Sequence, residues 1–293
     1  MPHRIGRFTS PAAERHFRSA YEEGMRLLPA PAEVHDVATA FGDVRAYRFG
    51  AAPGVPLVLL HGTNGTTVSW RPNIEALARR RTVFAVDLLG EPGASVQTAP
   101  IRDADDQAAW LEQTLAGLGL DRAHLVGVSI GGWTACNAAV RRPQRVASAT
   151  MLDPANTLAR MPLGLILRTI PVLIPFLSSW ATPRFLRYVD GQGGDPLADP
   201  VGRVIDAGMR GFRTGAPQPA LFDDDQLRSL SMPVLAVVAG RSVIHHPRTA
   251  CERARRLIPD VRAELWPEAT HAISGQCAAQ VNDRVLRFTD EID

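Results

Sequence analysis

Lysine is missing altogether: all 32 basic side chains are arginine, set against 30 carboxylates for a net charge of +2. The arginines are scattered rather than gathered into runs, which leaves no basic stripe for nucleic acid. Cysteine is scarce. Cys136, Cys251 and Cys277 make an odd number with no metal-ligand spacing. A disulfide framework and a structural zinc site are therefore not expected, and free thiols in a reducing, cytoplasmic setting are the simplest account. The N-terminus, with Arg4, Arg7, Glu14, Arg15 and Arg18, has no apolar core of a signal peptide. Long unbroken hydrophobic runs are also lacking. The one membrane-like stretch, Met161 to Trp180, is interrupted by Pro162, Arg168, Pro171 and Pro175, so no membrane span is expected. No internal repeat is evident.

What is present is enough apolar material for a large core, 45% of 293 residues, arranged as one large α/β domain with an insertion. Pro11 to Leu28 reads as an amphipathic helix capped by Ser10. Glu33 to Phe41 and Val44 to Phe49 read as two strands joined at Gly42-Asp43. Val55 to Leu60 is wholly apolar, as expected of a strand buried on both faces. Strand and helix then alternate: helix Pro72 to Arg80, strand Thr82 to Val86, helix Asp103 to Gly117, strand His124 to Val128, helix Gly131 to Arg142, strand Val146 to Leu152. That alternation predicts a mostly parallel central sheet with helices on both faces.

The rhythm breaks at Pro154 and resumes near residue 226, with strand Pro233 to Ala239, helix Pro247 to Leu257, strand Val261 to Leu265 and helix Gln276 to Phe288. Residues 154–225 thus read as a helical cap inserted after the sixth strand, over the carboxyl ends of the strands where open α/β sheets bind ligands. Residues 1–153 and 226–293 form the core. The apolar residues of the cap, among them Leu158, Met161, Leu163, Leu165, Ile166, Leu167, Phe176, Phe185 and Phe212, suit an apolar acyl or aryl group. Trp70 and Trp133 are placed to line the same pocket, and Met161, Leu165 and Phe185 are the cap residues singled out for it.

Gly127-Val128-Ser129-Ile130-Gly131-Gly132 falls where a strand gives way to a helix. This is the G-x-S-x-G setting of a nucleophile elbow, which lifts one hydroxyl above the sheet. A serine hydroxyl needs a base to take its proton. His271, in the loop between the last strand and the last helix, lies at the same end of the sheet as Ser129. His245 and His246 are its rivals, whereas His61 ends a strand and is expected to shape its turn. Two N–H donors must hold the oxyanion of a tetrahedral intermediate. The backbone of Ile130, at the start of the elbow helix, is one. The turn His61-Gly62-Thr63-Asn64-Gly65 supplies the other, from Thr63 first and Asn64 second.

Taken together, His61-Gly62 after a buried strand, Asp87-Leu88-Leu89-Gly90 with Gly93 and Ser95 after the next, the elbow and the late His271 resemble the α/β-hydrolase family over about residues 33 to 290. Within it the chain looks most like small bacterial carboxylesterases with a helical cap. The resemblance implies hydrolysis of an ester or related acyl bond in a small molecule, with no metal and no organic cofactor.

One departure from the family stands out. Its third catalytic member usually follows the penultimate strand, yet Ala239-Gly240-Arg241-Ser242-Val243-Ile244-His245-His246 contains no carboxylate. Asp153, ending the neighbouring strand about 4.8 Å away, is the substitute, and some family members, haloalkane dehalogenases among them, place the acid there. Asp153 before Pro154 also reads as a turn or helix cap. A serine esterase using Ser129, His271 and Asp153 is the leading reading. The same residues would serve a thioesterase, lactonase, cyclase or acyltransferase, and a ligand-binding homologue that has lost its acid is the non-catalytic alternative. Natural substrate, stereoselectivity and oligomeric state are left open.

Overall fold

A computed structural model describes residues 5–191 and 193–293, and the side chains of all of these except Leu173, Pro175 and Phe176. The chain opens with a short strand β1 (Arg7–Phe8) and helix α1 (Pro11–Met25). The Ser10 hydroxyl accepts the Ala13 N–H at 3.1 Å, and Pro11 follows it at the first helical position, where a missing N–H costs nothing. Next come β2 (Glu33–Thr39) and β3 (Gly42–Phe49), an antiparallel hairpin. Its turn is at Ala40-Phe41 rather than at Gly42-Asp43, because Gly42 is already paired with Thr39.

The alternating part follows in order: β4 (Leu57–Leu60), α2 (Arg71–Ala78), β5 (Val83–Val86), a short β6 (Val96–Gln97), α3 (Ala104–Gly117), β7 (Ala123–Val128), α4 (Ile130–Arg141) and β8 (Val146–Leu152). The insertion contributes α5 (Leu163–Leu173), α6 (Pro175–Asp190), α7 (Pro200–Gly211) and β9 (Phe212–Arg213). The chain then closes with α8 (Asp224–Arg228), β10 (Val234–Ala239), α9 (Pro247–Leu257), β11 (Val261–Trp266), α10 (Ile273–Gln276) and α11 (Ala278–Asp290).

Among the described residues the main sheet has the order β11-β10-β8-β7-β4-β5-β3-β2, with β6 paired to β3. The strands from β11 to β5 are parallel, and β2 and β6, each antiparallel to β3, share their direction; of the described strands of this sheet only β3 runs against the rest. Strands β4, β5 and β10 are apolar throughout because both faces are covered. Val58 and Leu60 point into one cluster with Leu125, Val234 and Ala236. Leu57 and Leu59 point into the other with Val126, Leu235 and Phe288. Strand geometry sends alternate side chains to opposite faces, so a polar residue in these runs would be buried whichever way it pointed.

The N-terminal helix does not pack on the sheet alone. Phe17 and Tyr21 of α1 meet Val204 and Ala207 of α7 and Val68, while β1 pairs with β9 (Phe8 opposite Phe212). The N-terminus and the end of the insertion are thus built together. Below them lies a buried polar cluster. Asp87, following β5, accepts the Thr67 N–H at 2.8 Å, the Thr67 hydroxyl at 2.9 Å, the Tyr21 hydroxyl at 2.8 Å and the Ala94 N–H at 2.8 Å. Burial, followed by the Asp87 charge, pushes the Tyr21 phenol far above its ordinary range, so it stays a donor. No described helix is long and apolar enough to cross a membrane.

Removing the Asp87 carboxylate would leave several buried donors without an acceptor, each costing about 1–3 kcal/mol. Asp87→Ala is therefore expected to lower the unfolding free energy by about 4 kcal/mol or more, read from the midpoint of urea denaturation. A loss below about 1 kcal/mol would show that this cluster does not anchor α1.

Candidate active site

Ser129 follows β7 directly and begins the turn into α4, with its backbone at φ 55° and ψ −118°. Such a conformation costs an L-residue about 1–3 kcal/mol and persists only where its surroundings impose it. Here they do. A Cβ on Gly127 would fall 2.0 Å from the Gly131 carbonyl oxygen, and one on Gly131 would fall 2.0 Å from the Leu60 carbonyl oxygen. Only glycine lets α4 approach β4 and β7 this closely. The Ser129 N–H donates to the Leu152 carbonyl at 3.0 Å, and its own carbonyl accepts the N–H groups of Trp133 and Ala155, each at 3.1 Å. These bonds pin the turn to its own helix and to the segment around the end of β8.

His271 occupies the loop between β11 and α10. The Thr270 N–H and hydroxyl both donate to Gln276 Oε1, at 2.7 and 3.0 Å, which closes that loop. His271 Nε2 stands 3.0 Å from Ser129 Oγ, and Nδ1 stands 2.7 Å from Asp153 Oδ2. An ionised carboxylate only accepts, so Nδ1 carries the proton and Nε2 is the acceptor for the serine hydroxyl.

Asp153 is fully buried at the end of β8. Its backbone lies in the left-handed region at φ 43°, which aspartate tolerates better than most residues. Its N–H donates to the Val237 carbonyl of β10 at 2.7 Å. Oδ1 accepts the Ala239 N–H at 3.0 Å, and Oδ2 accepts the Ser242 hydroxyl at 2.7 Å. His245 Nε2 approaches Oδ1 to 3.0 Å but is poorly aligned for a hydrogen bond, and neither of its ring nitrogens is hydrogen-bonded among the described residues. Burial pushes the Asp153 carboxyl up. The contacts from His245 and His271 outweigh burial and hold it well below the usual carboxylate range, so the group is ionised beside the imidazole.

Ser242 and His245 were not expected to act on a carboxylate. They come from the segment that lacks an acid, and the strand adjacency that points to Asp153 also points to them: the loop after β10 must flank the end of β8. His246, by contrast, is exposed and bonds to Thr249.

On the other side of Ser129 lies the turn after β4. His61 is fully buried, and burial lowers its tendency to hold a second proton. Its Nδ1 donates to the Gly62 carbonyl at 2.8 Å, and its Nε2 accepts the Leu88 N–H at 2.9 Å, so it shapes the turn. Thr63 is exposed at the tip. Asn64 needs a correction: its backbone N–H already donates to Glu91 Oε2 at 2.8 Å and is not available to an oxyanion. Glu91 is itself buried, which raises its carboxyl even though Asn64 and Thr214 bond to it. It ties the turn to the strand end of the insertion through Thr214, at 3.0 Å.

The expected pocket residues divide. Trp70 is buried in the core with Leu57, Ile74 and Phe288. Trp133 is also buried; its indole N–H donates to the Ala220 carbonyl at 2.8 Å, and its ring packs on Phe222. It borders a cleft of about 480 Å³ with Arg102, Arg141 and Pro217 that includes none of Ser129, Asp153 or His271. Met161, Leu165 and Phe185 do come together, against Ala155 and Ile244, two residues after Asp153 and one before His245. Leu158 belongs to the main core and Phe212 packs on Phe8. The Phe176 side chain lies outside the described residues. Leu163, Ile166 and Leu167 face solvent.

Comparison with known proteins agrees with this architecture. The alpha/beta hydrolase fold family profile matches residues 55–187. From Bacillus subtilis (strain 168), the uncharacterized carboxylesterase nap is 30% identical over 93% of this chain and 91% of its own length, and carboxylesterase YbfK is 30% identical over 93% of each. The crystal structure of naproxen esterase (carboxylesterase NP) from Bacillus subtilis superposes with a TM-score of 0.88 at 29% identity, covering 95% of this chain and 99% of that one. With the parallel sheet, the strained serine turn and relatives spanning nearly the full length, the chain belongs to the alpha/beta hydrolase fold family.

Proposed function

We propose that this protein is a serine carboxylesterase that works through an acyl-enzyme. One observation carries the reading: the unbroken line from Ser129 Oγ to His271 Nε2 at 3.0 Å and from His271 Nδ1 to Asp153 Oδ2 at 2.7 Å. The names of the two Bacillus relatives support the substrate class.

Ser129 Oγ attacks the ester carbonyl carbon as His271 Nε2 takes its proton, and the carbonyl oxygen becomes an oxyanion. The N–H groups of Ile130 and Thr63 are its donors, and the N-terminal end of α4 adds its partial positive charge. The tetrahedral intermediate collapses as the imidazolium returns its proton to the leaving alcohol. A water molecule, deprotonated by the same nitrogen, then attacks the acyl carbon and Ser129 leaves as its hydroxyl. Asp153 keeps the Nδ1 proton in place and stabilises the imidazolium without taking that proton. Residues 154–225 act as the cap, and Met161, Leu165 and Phe185 border the acyl group.

A fluorophosphonate probe is expected to label Ser129 in native protein and to leave Ser129→Ala unlabelled, by intact mass. Absence of label on folded native protein would refute the nucleophile. Asp153→Asn is expected to lower kcat for p-nitrophenyl butyrate by about 10⁴-fold while the midpoint of thermal unfolding moves little. An unchanged kcat would remove Asp153 from the mechanism.

The pH dependence follows from the depressed Asp153 carboxyl. It stays ionised as pH falls, so its stabilising contact with His271 is present above the ordinary carboxylate range and is lost only far below it. Asp153 therefore adds no proton uptake to the acid limb of kcat/KM, which is expected to have a slope of one. A slope of two in the acid limb would mean that Asp153 titrates within it.

A further inference from the structure

The apolar stretch 161–180 is too interrupted to span a bilayer, and α5 at its heart is 11 residues long, about 16 Å against a hydrocarbon core of about 30 Å. Yet this short helix is apolar on two opposite faces. Leu165 and Val172 point inward and are buried, with Leu165 packed over Ala155 and Ile244. Leu163, Ile166, Leu167 and Ile170 recur at the i, i+3, i+4, i+7 spacing of a single helical stripe, and they are 77%, 46%, 64% and 49% exposed. Trp180 and Tyr188 of the neighbouring α6 are exposed as well. Single exposed apolar residues are ordinary, but a stripe of this kind marks a surface that something covers.

Charge identifies what covers it. From residue 154 to residue 189 the chain has Arg160, Arg168, Arg184 and Arg187 and not one aspartate or glutamate; the next carboxylate is Asp190. All four arginines are exposed. The Arg184 guanidinium lies 4.3 Å over the Trp180 ring, and that of Arg168 lies 4.7 Å over Tyr188. An apolar stripe rimmed by cations and by aromatic rings with one polar end matches the boundary between headgroups and acyl chains. A second copy of this chain, joined about a twofold axis, would bring arginines against arginines. We propose that the outer face of α5, with Trp180 and Tyr188, docks this protein onto an anionic lipid surface.

Docking does not depend on the esterase reading, because it is read as binding. Full-length protein is incubated with vesicles of phosphatidylcholine alone or mixed with phosphatidylglycerol, and the bound fraction is measured by flotation. The expected result is partitioning onto the phosphatidylglycerol vesicles that weakens as salt rises. Arg168→Gln and Arg184→Gln should each reduce it about fivefold. Leu163→Ser with Leu167→Ser should reduce it at least about tenfold, with unchanged thermal unfolding and unchanged hydrolysis of a short water-soluble ester. Native protein that leaves both vesicle types unbound would overturn the proposal, as would variants that bind as tightly as native. A dimer in sedimentation velocity that the leucine substitutions dissolve would assign the face to a second copy and overturn it too.

Discussion

A carboxylate sealed away from water is tolerable only if donors surround it, since the effective penalty for a buried ion is several kcal/mol. Asp153 is such a group, and much of the candidate site is arranged around its needs. The Ala239 N–H comes from the end of β10, the Ser242 hydroxyl from the loop beyond, and the His271 ring from the loop after β11. Three consecutive strand ends must therefore stay in register for one charge to remain satisfied. The orientation of His271, and with it the position of the proton on Nδ1, is a consequence of that arrangement.

The sheet makes such register possible. Its inner strands β4, β5 and β10 are apolar and buried on both faces, so slipping any one of them by a residue would exchange two fully packed sets of side chains. Rigidity of this kind also carries the strained backbone of Ser129. The close contacts of Gly127 and Gly131 leave α4 a single place to sit, and the serine at its start has no relaxed alternative. Polar groups away from the reacting atoms extend the same support outward. Asp87 joins α1 to the turn holding Thr67, and Glu91 joins the Asn64 turn to Thr214 near the end of the insertion. The insertion is thereby tied to both the N-terminal helix and the turn beside Ser129. Helix α5 sits at its outer limit, packed on the site loops by one face and turned to solvent by the other.

Much of this was legible in residue order. The apolar runs β4, β7, β8 and β10, the serine turn between two glycine contacts, and the late histidine all follow from local periodicity and turn chemistry. The meeting of Asp153 with His271 was reachable because parallel strands have a known spacing, so a carboxylate at one strand end lies within reach of a loop near the next. Other assignments turn on packing between distant segments. Trp70 and Trp133 lie near the site in sequence, but nearness along the chain does not say which face of a helix meets the core. Asn64 sits in the expected turn, yet its N–H is taken by Glu91, a residue 27 positions away. The pairing of β1 with β9 joins segments about 200 residues apart, with no periodicity in either to announce it.

The sequence by itself determined the α/β alternation, the serine turn after β7 and the absence of an acid after β10, because each is set by side-chain pattern over a few residues. Tertiary structure alone decided that Ser242 and His245 face the displaced carboxylate, that Asn64 is occupied, and which side of α5 is left to solvent. These depend on which groups meet across the sheet and which donors are already bonded, and such competition between distant partners is settled only when the whole chain is packed.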